Sequence, residues 1–268
     1  VYDGTALTNA AVTVSGNGFA EGEGATYHVT GSQTNAGKSD NEFTYTLNEG
    51  TKADNYIFSK ELGELEVTSV TDEVVVTIKG NTKTEKYDGA EKEVTGYTVT
   101  EISNALYEES DFTFSGAAKA KGTNAGSYPM GLKETDFANI NTNFTNVKFA
   151  VTDGELTISK RTVTLTSADG EKVYDGKPLT NGTVTVGGDG FVGNDGATYH
   201  VTGSQTDAGK SENTFTYELT DGTVADNYTI TTALGTLKVT PVTDEVVVNI
   251  KGRTKSEKYD GTEKTVNG

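Results

Sequence analysis

Apolar and polar positions alternate along most of this chain with a period of two, which is typical of β-strands that bury one face. The alternation is clearest in residues 160–241, where Val163 and Leu165 are separated by threonines. Five further segments of this stretch show it: Val184/Val186, Tyr199/Val201, Phe215/Tyr217/Leu219, Tyr228/Ile230 and Leu237/Val239. Breaks rich in Gly, Asn and Asp separate the segments. The pattern predicts an all-β fold with six or seven strands in about 82 residues.

The strand spacing narrows the fold class. One strand for about every 12 residues is expected of a small antiparallel β-sandwich or barrel. Immunoglobulin-like and β-grasp-like sandwiches both fit this spacing. A short helical turn in Lys133–Asn141 would favour the β-grasp variant, and the usual immunoglobulin markers are missing because the chain has neither Cys nor Trp. The sequence leaves the two topologies open.

The chain is a tandem array. A shift of 172 residues aligns residues 1–96 with residues 173–268 without a gap, and 65 of the 96 aligned positions are identical. A weaker half-period is marked by the triplet Tyr-Asp-Gly, which begins at Tyr2, Tyr87, Tyr174 and Tyr259. In the first three units an Ala-Gly step, an Asn-aromatic pair and a closing alternating segment follow in the same order. The unit is therefore a domain of about 85 residues in two alternating types.

Boundaries placed after each closing segment define four repeats: repeat A1 (residues 1–69), repeat B1 (residues 70–159), repeat A2 (residues 160–241) and repeat B2 (residues 242–268). A1 lacks the part that residues 160–172 supply to A2, and B2 is expected to contain only opening strands. Because the chain begins with Val1 rather than Met, we expect it to be a piece of a longer protein. The linkers are short and lack Gly/Ser-rich or Pro-rich spacers, which predicts an elongated array.

Repeat A1 lacks an opening strand, and repeat B2 consists of an opening segment alone. A1 has no counterpart of the opening strand Arg161–Ser167, so an open sheet edge and an uncovered apolar groove are expected. In B2, Val246, Val248 and Ile250 alternate with other residues and would bury one apolar row. Bare sheet edges accept additional strands. In a longer native chain, the linker of the preceding repeat would fill this gap. In this fragment, the tail of one molecule would fill the head of the next, which predicts head-to-tail self-association besides contacts between neighbouring repeats of one chain.

Charge and composition exclude several classes of partner. The chain has 22 basic and 39 acidic side chains, which gives a formal net charge of −17. The phosphate backbone of a nucleic acid and an anionic membrane surface both attract basic protein faces. Neither nucleic acid nor an anionic membrane is therefore an expected partner of this acidic chain. No run approaches the roughly 20 apolar residues of a membrane-spanning helix, so no membrane insertion is expected in this segment. The lack of Cys excludes disulfides, thiolate metal sites and cysteine nucleophiles.

No motif points to catalysis. The two histidines, His28 and His200, are copies of one position within a Thr-Tyr-His-Val-Thr strand, so each A repeat has one lone imidazole. Nucleophilic catalysis needs a base within hydrogen-bond reach of the nucleophile, and no spacing singles out a Ser or Thr. The acidic residues fit solvated faces better than a carboxylate pair. We therefore expect no enzyme activity, no catalytic residues and no cofactor.

Two further chemistries are weighed against structural roles. The acidic loop Asp189–Asp195 offers hard oxygen ligands for calcium, but its copy reads Asn17–Glu23 and turn chemistry explains the same residues. Lys79 and Lys251 occupy equivalent positions at the end of a Val-rich strand, where an internal Lys–Asn isopeptide bond would replace a disulfide. We expect no metal site, and the sequence shows neither an apolar pocket nor a carboxylate beside either lysine.

The recurrent Tyr-Asp-Gly triplet is interpreted as structural. In this interpretation the Tyr covers one edge of the core, and Asp-Gly forms the tight turn after the opening strand. Architecture must recur in every unit, whereas a catalytic site need not.

A resemblance to a known family follows from an ordered series of motifs. The series comprises Lys172–Thr180, Asp207–Gly209, Asn227-Tyr228 and Leu237–Thr240. It resembles the Tyr-Asp-Gly (YDG/MBG-type) repeats of bacterial surface adhesins, which are kin to the repeats of mucin-binding-type proteins. The resemblance covers essentially the whole chain. It implies a large, secreted, wall- or envelope-attached protein whose tandem all-β repeats hold an adhesive tip away from the cell.

Two functional hypotheses follow. The leading one is a non-catalytic stalk or adhesin segment of a bacterial cell-surface or cell-wall protein. The alternative is a binding module in which each repeat carries a shallow site for host or matrix glycans, or for a glycoprotein such as mucin, through exposed aromatics such as Tyr27, Tyr97 or Tyr199. A third reading, a polysaccharide hydrolase, has little support in the sequence. Binding of mucin or glycans by the chain would distinguish the first two.

Overall fold

The computed structural model describes residues 1–265, so the last three residues assigned to repeat B2 lie outside the described part. The backbone divides into two compact units, Val1–Ser159 and Lys160–Gly268, which are treated separately below. Both units contain only β-strands and single turns of 3₁₀ helix, which confirms the predicted all-β class. No helix among the described residues is long and apolar enough to cross a membrane.

The elements of each repeat are as follows. Repeat A1 contains β1 (Ala25–Val29), β2 (Gly37–Asn41), β3 (Phe43–Leu47), a 3₁₀ turn (Ala53–Asn55) and β4 (Gly63–Val67). Repeat B1 contains β5 (Val74–Gly80), β6 (Thr82–Lys86), β7 (Lys92–Thr95), β8 (Tyr97–Ile102), a 3₁₀ turn (Glu109–Asp111), β9 (Phe112–Phe114), β10 (Lys119–Gly122), β11 (Gly126–Pro129), a 3₁₀ turn (Glu134–Asp136), β12 (Phe137–Asn139), β13 (Val147–Thr152) and β14 (Glu155–Ser159). Repeat A2 contains β15 (Arg161–Ser167), β16 (Gly170–Val173), β17 (Val184–Gly188), β18 (Ala197–Val201), β19 (Gly209–Glu212), β20 (Phe215–Leu219), a 3₁₀ turn (Ala225–Asn227), β21 (Tyr228–Ala233) and β22 (Thr236–Thr240).

Repeat B1 is organised around its opening strand. β5 lies between β13, to which it is parallel, and β8, to which it is antiparallel. β14 is likewise parallel to β6 and antiparallel to β11. Two antiparallel ladders, β7–β10 and β9–β12, complete the fold. The inward-facing residues Val74, Val76 and Ile78 of β5 are almost completely buried, against a cluster of aromatic rings that includes Phe112, Phe137, Phe144 and Phe149.

Repeat A2 has the same pairing in its two three-stranded sheets, and the counterpart of the β7–β10 ladder is a single bridge between Leu179 and Gln205. β15 lies between the parallel strand β21 and the antiparallel strand β17, and β22 lies between the parallel β16 and the antiparallel β19. The register also matches, because the last residue of the closing strand is paired with the residue before the Tyr of Tyr-Asp-Gly in both repeats: Ser159 with Lys86, and Thr240 with Val173. The two repeat types therefore share one fold, as their common order of motifs predicts.

The helical turn expected in Lys133–Asn141 is present as the single 3₁₀ turn Glu134–Asp136. The sequence did not reveal the two parallel strand pairs of each complete repeat. Alternation shows which face of a strand is buried but not the direction of its neighbour, and in A2 the parallel partners lie 67 residues apart. An immunoglobulin sandwich consists of antiparallel sheets, so these parallel pairs depart from that variant.

Repeat A1 retains only two antiparallel ladders, β1–β3 and β2–β4. Residues 12–16 and 56–61, which correspond by the shift of 172 to β17 and most of β21, form no strand. In A2 these two segments flank β15, and A1 has no residues that correspond to β15. Residues 1–69 thus contain neither a counterpart of this central strand nor the mixed sheet around it.

Repeat B2 forms no strand within residues 242–265, although opening strands are expected there. Residues 246–252 repeat the β5 sequence at six of seven positions. The apolar row that β5 buries is open to solvent in this copy: Val246, Val248 and Ile250 are 67%, 73% and 92% exposed. A strand needs hydrogen-bonding neighbours, and this segment has none in the described part of the chain.

Candidate functional site

The Tyr-Asp-Gly triplets form the same turn in each repeat. Within each triplet the Asp carboxylate accepts a hydrogen bond from the backbone N–H two residues ahead, as in Asp3–Thr5 at 2.8 Å and Asp175–Lys177 at 2.9 Å. The following glycine has a φ of +77° to +81° in all four triplets, a region that other residues rarely adopt. This arrangement is an Asx turn, as the structural interpretation of the triplet predicts.

The Tyr of the triplet anchors the turn to the closing strand. In three repeats its N–H donates to a backbone carbonyl at the end of that strand: 3.0 Å from Tyr87 to Ser159 and 2.8 Å from Tyr174 to Thr240, each the last residue of the strand, and 2.8 Å from Tyr2 to Thr68, the residue after β4. The tyrosine rings differ in their surroundings. The Tyr2 ring packs edge-on against Phe144 of repeat B1, with 5.7 Å between ring centroids, whereas Tyr174 is 42% exposed.

The junction between A1 and B1 is built on Asn143. Its side-chain Oδ1 accepts a hydrogen bond from the N–H of Ala36 at 2.7 Å, and its Nδ2 donates to Oδ1 of Asn35 at 3.1 Å. Asn143 is buried, and its own backbone N–H donates to Asn141 within B1. One amide thus satisfies a donor and an acceptor of the neighbouring repeat. Because an unpaired buried amide costs free energy, these bonds favour one orientation of the two repeats.

Two further contacts support this junction. The Ser69 hydroxyl, at the end of A1, donates to the carbonyl of Thr142 at 3.1 Å. Val70 N–H donates to the Asn143 carbonyl at 2.8 Å, so the linker itself pairs with the loop that carries Asn143. The sequence identified the Asn-aromatic pair and the Ala-Gly step as repeat markers, but it did not show that they meet across a repeat boundary 107 residues apart in the chain.

A groove with a volume of about 700 Å³ lies in repeat A1. Its walls are residues 12–19 and 55–60, and its floor is formed by side chains of β1 and β3, among them Tyr27, Phe43 and Tyr45. Phe58 contacts the Tyr45 ring at 5.4 Å between centroids, and the Lys60 Nζ lies 4.9 Å from the Phe43 ring centroid. Aromatic side chains and polar ones such as Asn17, Asn55 and Ser59 line the groove together. It lies between the segments that flank β15 in A2.

One end of the groove is closed by a tyrosine–carboxylate contact. The Tyr56 hydroxyl donates to Glu23, and this bond raises the pKa of Tyr56. The same hydroxyl accepts the N–H of Ala20 at 3.1 Å. The equivalent contact in A2 joins Tyr228 to Asp195 at 2.5 Å. Glu23 therefore holds the loop after residue 18 against the sheet of A1. Asp195 does the same for the loop after residue 190 in A2.

The residues considered for catalysis and metal binding lie apart from one another. His28 and His200 are exposed on the outer faces of β1 and β18, in register with Thr44 and Thr216. In the acidic loop of A2, Asp189 Oδ2 accepts bonds from the N–H and hydroxyl of Thr162, both at 3.0 Å. Within residues 1–265, no three His, Asp or Glu side chains are grouped so that they could hold a metal ion.

The aromatic residues proposed for glycan binding are less accessible than expected. Tyr27, Tyr97 and Tyr199 are each half-buried, so the expectation that they are exposed is wrong. Tyr97 packs between Phe114 and Phe137 at centroid distances of 5.0 and 5.1 Å, and burial raises its pKa. Alternation places Tyr199 with Val201 in the apolar row of its strand, and this row is the half-buried one in β18.

The two lysines considered for an isopeptide bond are both exposed. Lys79 lies at the end of β5 and pairs in register with Thr98 and Thr152. Lys251 lies in the strand-free part of B2. Neither side chain lies in an apolar pocket of the kind that such a crosslink requires.

Comparison with known families identifies one domain. Residues 73–160 match the family model of the MBG domain, a YDG/MBG-type repeat family found in bacterial surface proteins. No curated protein matches the chain. The match spans nearly all of repeat B1 and confirms the resemblance seen in the sequence motifs. Repeat B1 is therefore similar to MBG domains, and A2 shares the pairing of its two three-stranded sheets.

Proposed function

We propose that this chain is a non-catalytic stalk segment of a bacterial surface protein, located outside the cell and joined to the cell surface or wall, which projects an adhesive region. The MBG match supports the coarser part of this proposal, a repeat of a surface protein. The stalk role is supported by one observation above all. A1 and B1 are joined directly through the buried Asn143 amide and the Tyr2–Phe144 ring contact, without a flexible spacer.

A direct junction suits a stalk because each repeat then constrains the next. A flexible linker lets the end-to-end distance collapse, whereas a hydrogen-bonded boundary resists bending. The acidic surface and the lack of Cys are compatible with a long extracellular array, and the recurrent acids serve turns and loops rather than a reactive centre.

The distance between A1 and B1 tests this role. The chain has no Cys, so Glu49→Cys in A1 and Thr135→Cys in B1 provide two exposed sites for spin labels. We expect a narrow distance distribution that becomes broad when Asn143→Ala is added. Asn146→Ala is the matched control, because that amide bonds to Thr71 within B1. A broad distribution in the unsubstituted junction would contradict the stalk role.

Binding assays distinguish the alternative, a repeat-borne module for host or matrix glycans or mucin. We expect the chain to show no binding to mucin or to a glycan array at micromolar concentrations. Specific binding that survives Asn143→Ala would favour the module, because the repeats would then act individually. Small-angle scattering should give a maximum dimension of about 100 Å or more if the repeats form an elongated array.

A further inference from the structure

We propose that Tyr107 of repeat B1 positions the Asn143 amide that binds repeat A1, and so controls how firmly these two repeats are joined. The proposal rests on the proposed stalk function, because it names the residue that regulates the stiffness of this junction. Tyr107 belongs to none of the recurrent motifs of the repeats. Two chains of contacts lead from it to A1, one through aromatic rings and one through asparagine side chains.

The first chain is a row of aromatic rings. The Tyr107 ring packs edge-on against Phe144, with 5.2 Å between centroids, and Phe144 in turn contacts the Tyr2 ring of A1 at 5.7 Å. Tyr107 and Phe144 are only 2% and 1% exposed and belong to the B1 core. Because packed interiors leave little space to absorb a shift, a movement of the Tyr107 ring would be passed on to the contact with Tyr2.

The second chain consists of hydrogen bonds through three alternate asparagines, Asn139, Asn141 and Asn143. The Tyr107 hydroxyl lies 3.0 Å from Oδ1 of Asn139 and 3.1 Å from the carbonyl oxygen of Asp111, so its one proton is shared between two acceptors. Asn139 Oδ1 also accepts the N–H of Asn141 at 3.0 Å, and Asn141 Oδ1 accepts the N–H of Asn143 at 2.9 Å. The chain ends at the Asn143 side chain, which makes both amide bonds to A1.

The Asn139 side chain also fixes the path of the loop that carries Asn143. Its Nδ2 donates to the carbonyls of Asn141 and Phe144, at 3.2 and 2.9 Å. The oxygen and the nitrogen of this amide are thus both bonded, and the Tyr107 hydroxyl joins the amide to the buried core. A loop that is ordered before it meets its partner loses less conformational entropy on binding. Tyr107 therefore contributes to the junction by ordering the loop in advance.

Protonation does not interrupt this arrangement near neutral pH. Burial raises the pKa of Tyr107 to about 12, and the nearby Asp111 carboxylate adds to the increase. The hydroxyl therefore keeps its proton through the neutral and mildly alkaline range and remains a donor to Asn139.

Repeat A2 shows that a ring pair of this kind does not require a hydroxyl directed at the Asn-bearing loop. Phe191 lies in the loop after β17, as Tyr107 lies in the loop after β8, and it contacts the Tyr228 ring with 5.1 Å between centroids. The hydroxyl is on the other ring of this pair: Tyr228 donates to Asp195 and accepts the N–H of Val192. In A2 the hydroxyl thus fixes the loop after β17, whereas in B1 it fixes the loop that reaches the neighbouring repeat.

Hydrogen exchange of the Ala36 amide in the full chain tests the proposal, because this N–H donates to Asn143 Oδ1. Tyr107→Phe removes the hydroxyl and keeps the ring contact. It should speed exchange of the Ala36 amide by about three- to tenfold, the effect expected for one hydrogen bond. The amides of Val76 and Ile78 in the core strand β5 should keep their protection, because the fold of B1 is retained.

Two controls separate positioning from a general structural role. Tyr97→Phe removes the hydroxyl of another tyrosine packed against the same core, and it should leave Ala36 exchange unchanged. In a chain that already carries Asn143→Ala, Tyr107→Phe should have no further effect on Ala36, because the bond that Tyr107 positions is gone. A merely structural role would speed Ala36 exchange in both backgrounds. Unchanged Ala36 exchange in Tyr107→Phe, or an equal rise at Val76, would overturn the positioning role.

Spin-label distances distinguish a failure of this proposal from a failure of the stalk role. With labels at positions 49 and 135, Tyr107→Phe should broaden the A1–B1 distance distribution and Tyr97→Phe should leave it narrow. A distribution that broadens with Asn143→Ala but not with Tyr107→Phe would overturn the positioning role and leave the stalk role standing. A broad distribution in the unsubstituted chain would overturn the stalk role, and the Ala36 exchange rates would then decide the positioning role by themselves.

Discussion

Repeats A1 and A2 are identical at 44 of 69 aligned positions, yet only A2 forms a mixed three-stranded sheet. Residues 184–188 and 228–233 of A2 are strands, and their counterparts in A1 are not. The difference lies outside the aligned residues, in β15, which pairs with both segments. Residues 12–16 match residues 184–188 at four of five positions but form no strand, so strand formation in this segment depends on a partner more than on local sequence. Residues 56–61 match residues 228–233 at only one of six positions.

The elements that A1 keeps support this conclusion. β1 and β3 pair as β18 and β20 do, with Ala25 opposite Leu47 and Ala197 opposite Leu219. Their partners lie within about 25 residues of each other in the sequence, so closing the ladder requires a short loop within the same repeat. Leu65 and Val67 also remain buried, as Leu237 and Val239 are. Local ladders survive, whereas the sheet that needs a distant central strand does not.

The strongest test of this comparison supplies the missing strand. Fusing a copy of residues 160–172 ahead of Val1 should convert residues 12–16 and 56–61 into strands. Burying the added Val and Leu, with their groove contacts, should raise the stability of A1 by about 3–6 kcal/mol. Hydrogen exchange of residues 56–61 measures the gain. The control is a fusion in which the Val and Leu that correspond to Val163 and Leu165 are replaced by Asp. Equal hydrogen-exchange protection of residues 56–61 in the two fusions would show that burial of the added strand does not order this segment.

The converse experiment weakens the packing of β15 in repeat A2. Leu165→Ala should lower the free energy of unfolding of A2 by about 2–5 kcal/mol, since it deletes a completely buried side chain. Native-state exchange of the β21 amides provides the measurement, because β21 is the strand that β15 holds. Leu234→Ala, at a 42% exposed position of the same repeat, should cost well under half as much. Similar losses for the two variants would show that β15 does not organise this sheet.

The two triplet tyrosines give a smaller contrast. Tyr2→Ala should destabilise its repeat by about 0.5–1.5 kcal/mol more than Tyr174→Ala, because only Tyr2 packs against a ring of the next repeat. Urea unfolding followed by exchange in each repeat compares the two losses. Tyr2→Phe keeps the ring contact and should behave like the unsubstituted chain. Equal losses at both positions would mean that the Phe144 contact adds no stability.

The smallest effect concerns the aspartates of the same turns. The hydrogen bond from Lys172 lowers the pKa of Asp175, and the hydroxyl and N–H of Thr5 lower that of Asp3. A lowered folded-state pKa adds stability above the unfolded pKa of about 4, and this stability is lost as the pH falls through the folded-state pKa. The urea midpoints of Asp175→Asn and the unsubstituted chain should therefore differ at pH 6–7 and converge in acid.

Salt separates the two turns further. Added salt should shrink the effect of Asp175→Asn at pH 7, because its leading contact is an exposed ion pair with Lys172. The effect of Asp3→Asn should change less, since the Asp3 contacts are with the neutral Thr5. An equal salt dependence at both positions would contradict this assignment.

Part of the functional site was visible in the sequence. The Asx turn of Tyr-Asp-Gly could be predicted because Asp and Gly act within three or four residues of chain. The Asn143 junction could not be predicted, although its residues stood out as repeat markers, because nothing local relates Asn143 to Asn35 and Ala36 more than 100 residues earlier.

The sequence by itself determined what depends on short range: the all-β class, the period of the repeats, the turns and the buried face of each complete strand. Tertiary structure alone decided what depends on a partner. It set the parallel pairing of β15 with β21, it left residues 56–61 and 246–252 without strands although related sequences form strands elsewhere, and it made an asparagine the link between repeats. The physical reason is that a strand is stabilised by hydrogen bonds and packing with its neighbours, so nearly identical segments such as residues 74–80 and 246–252 take different structures when the neighbour differs.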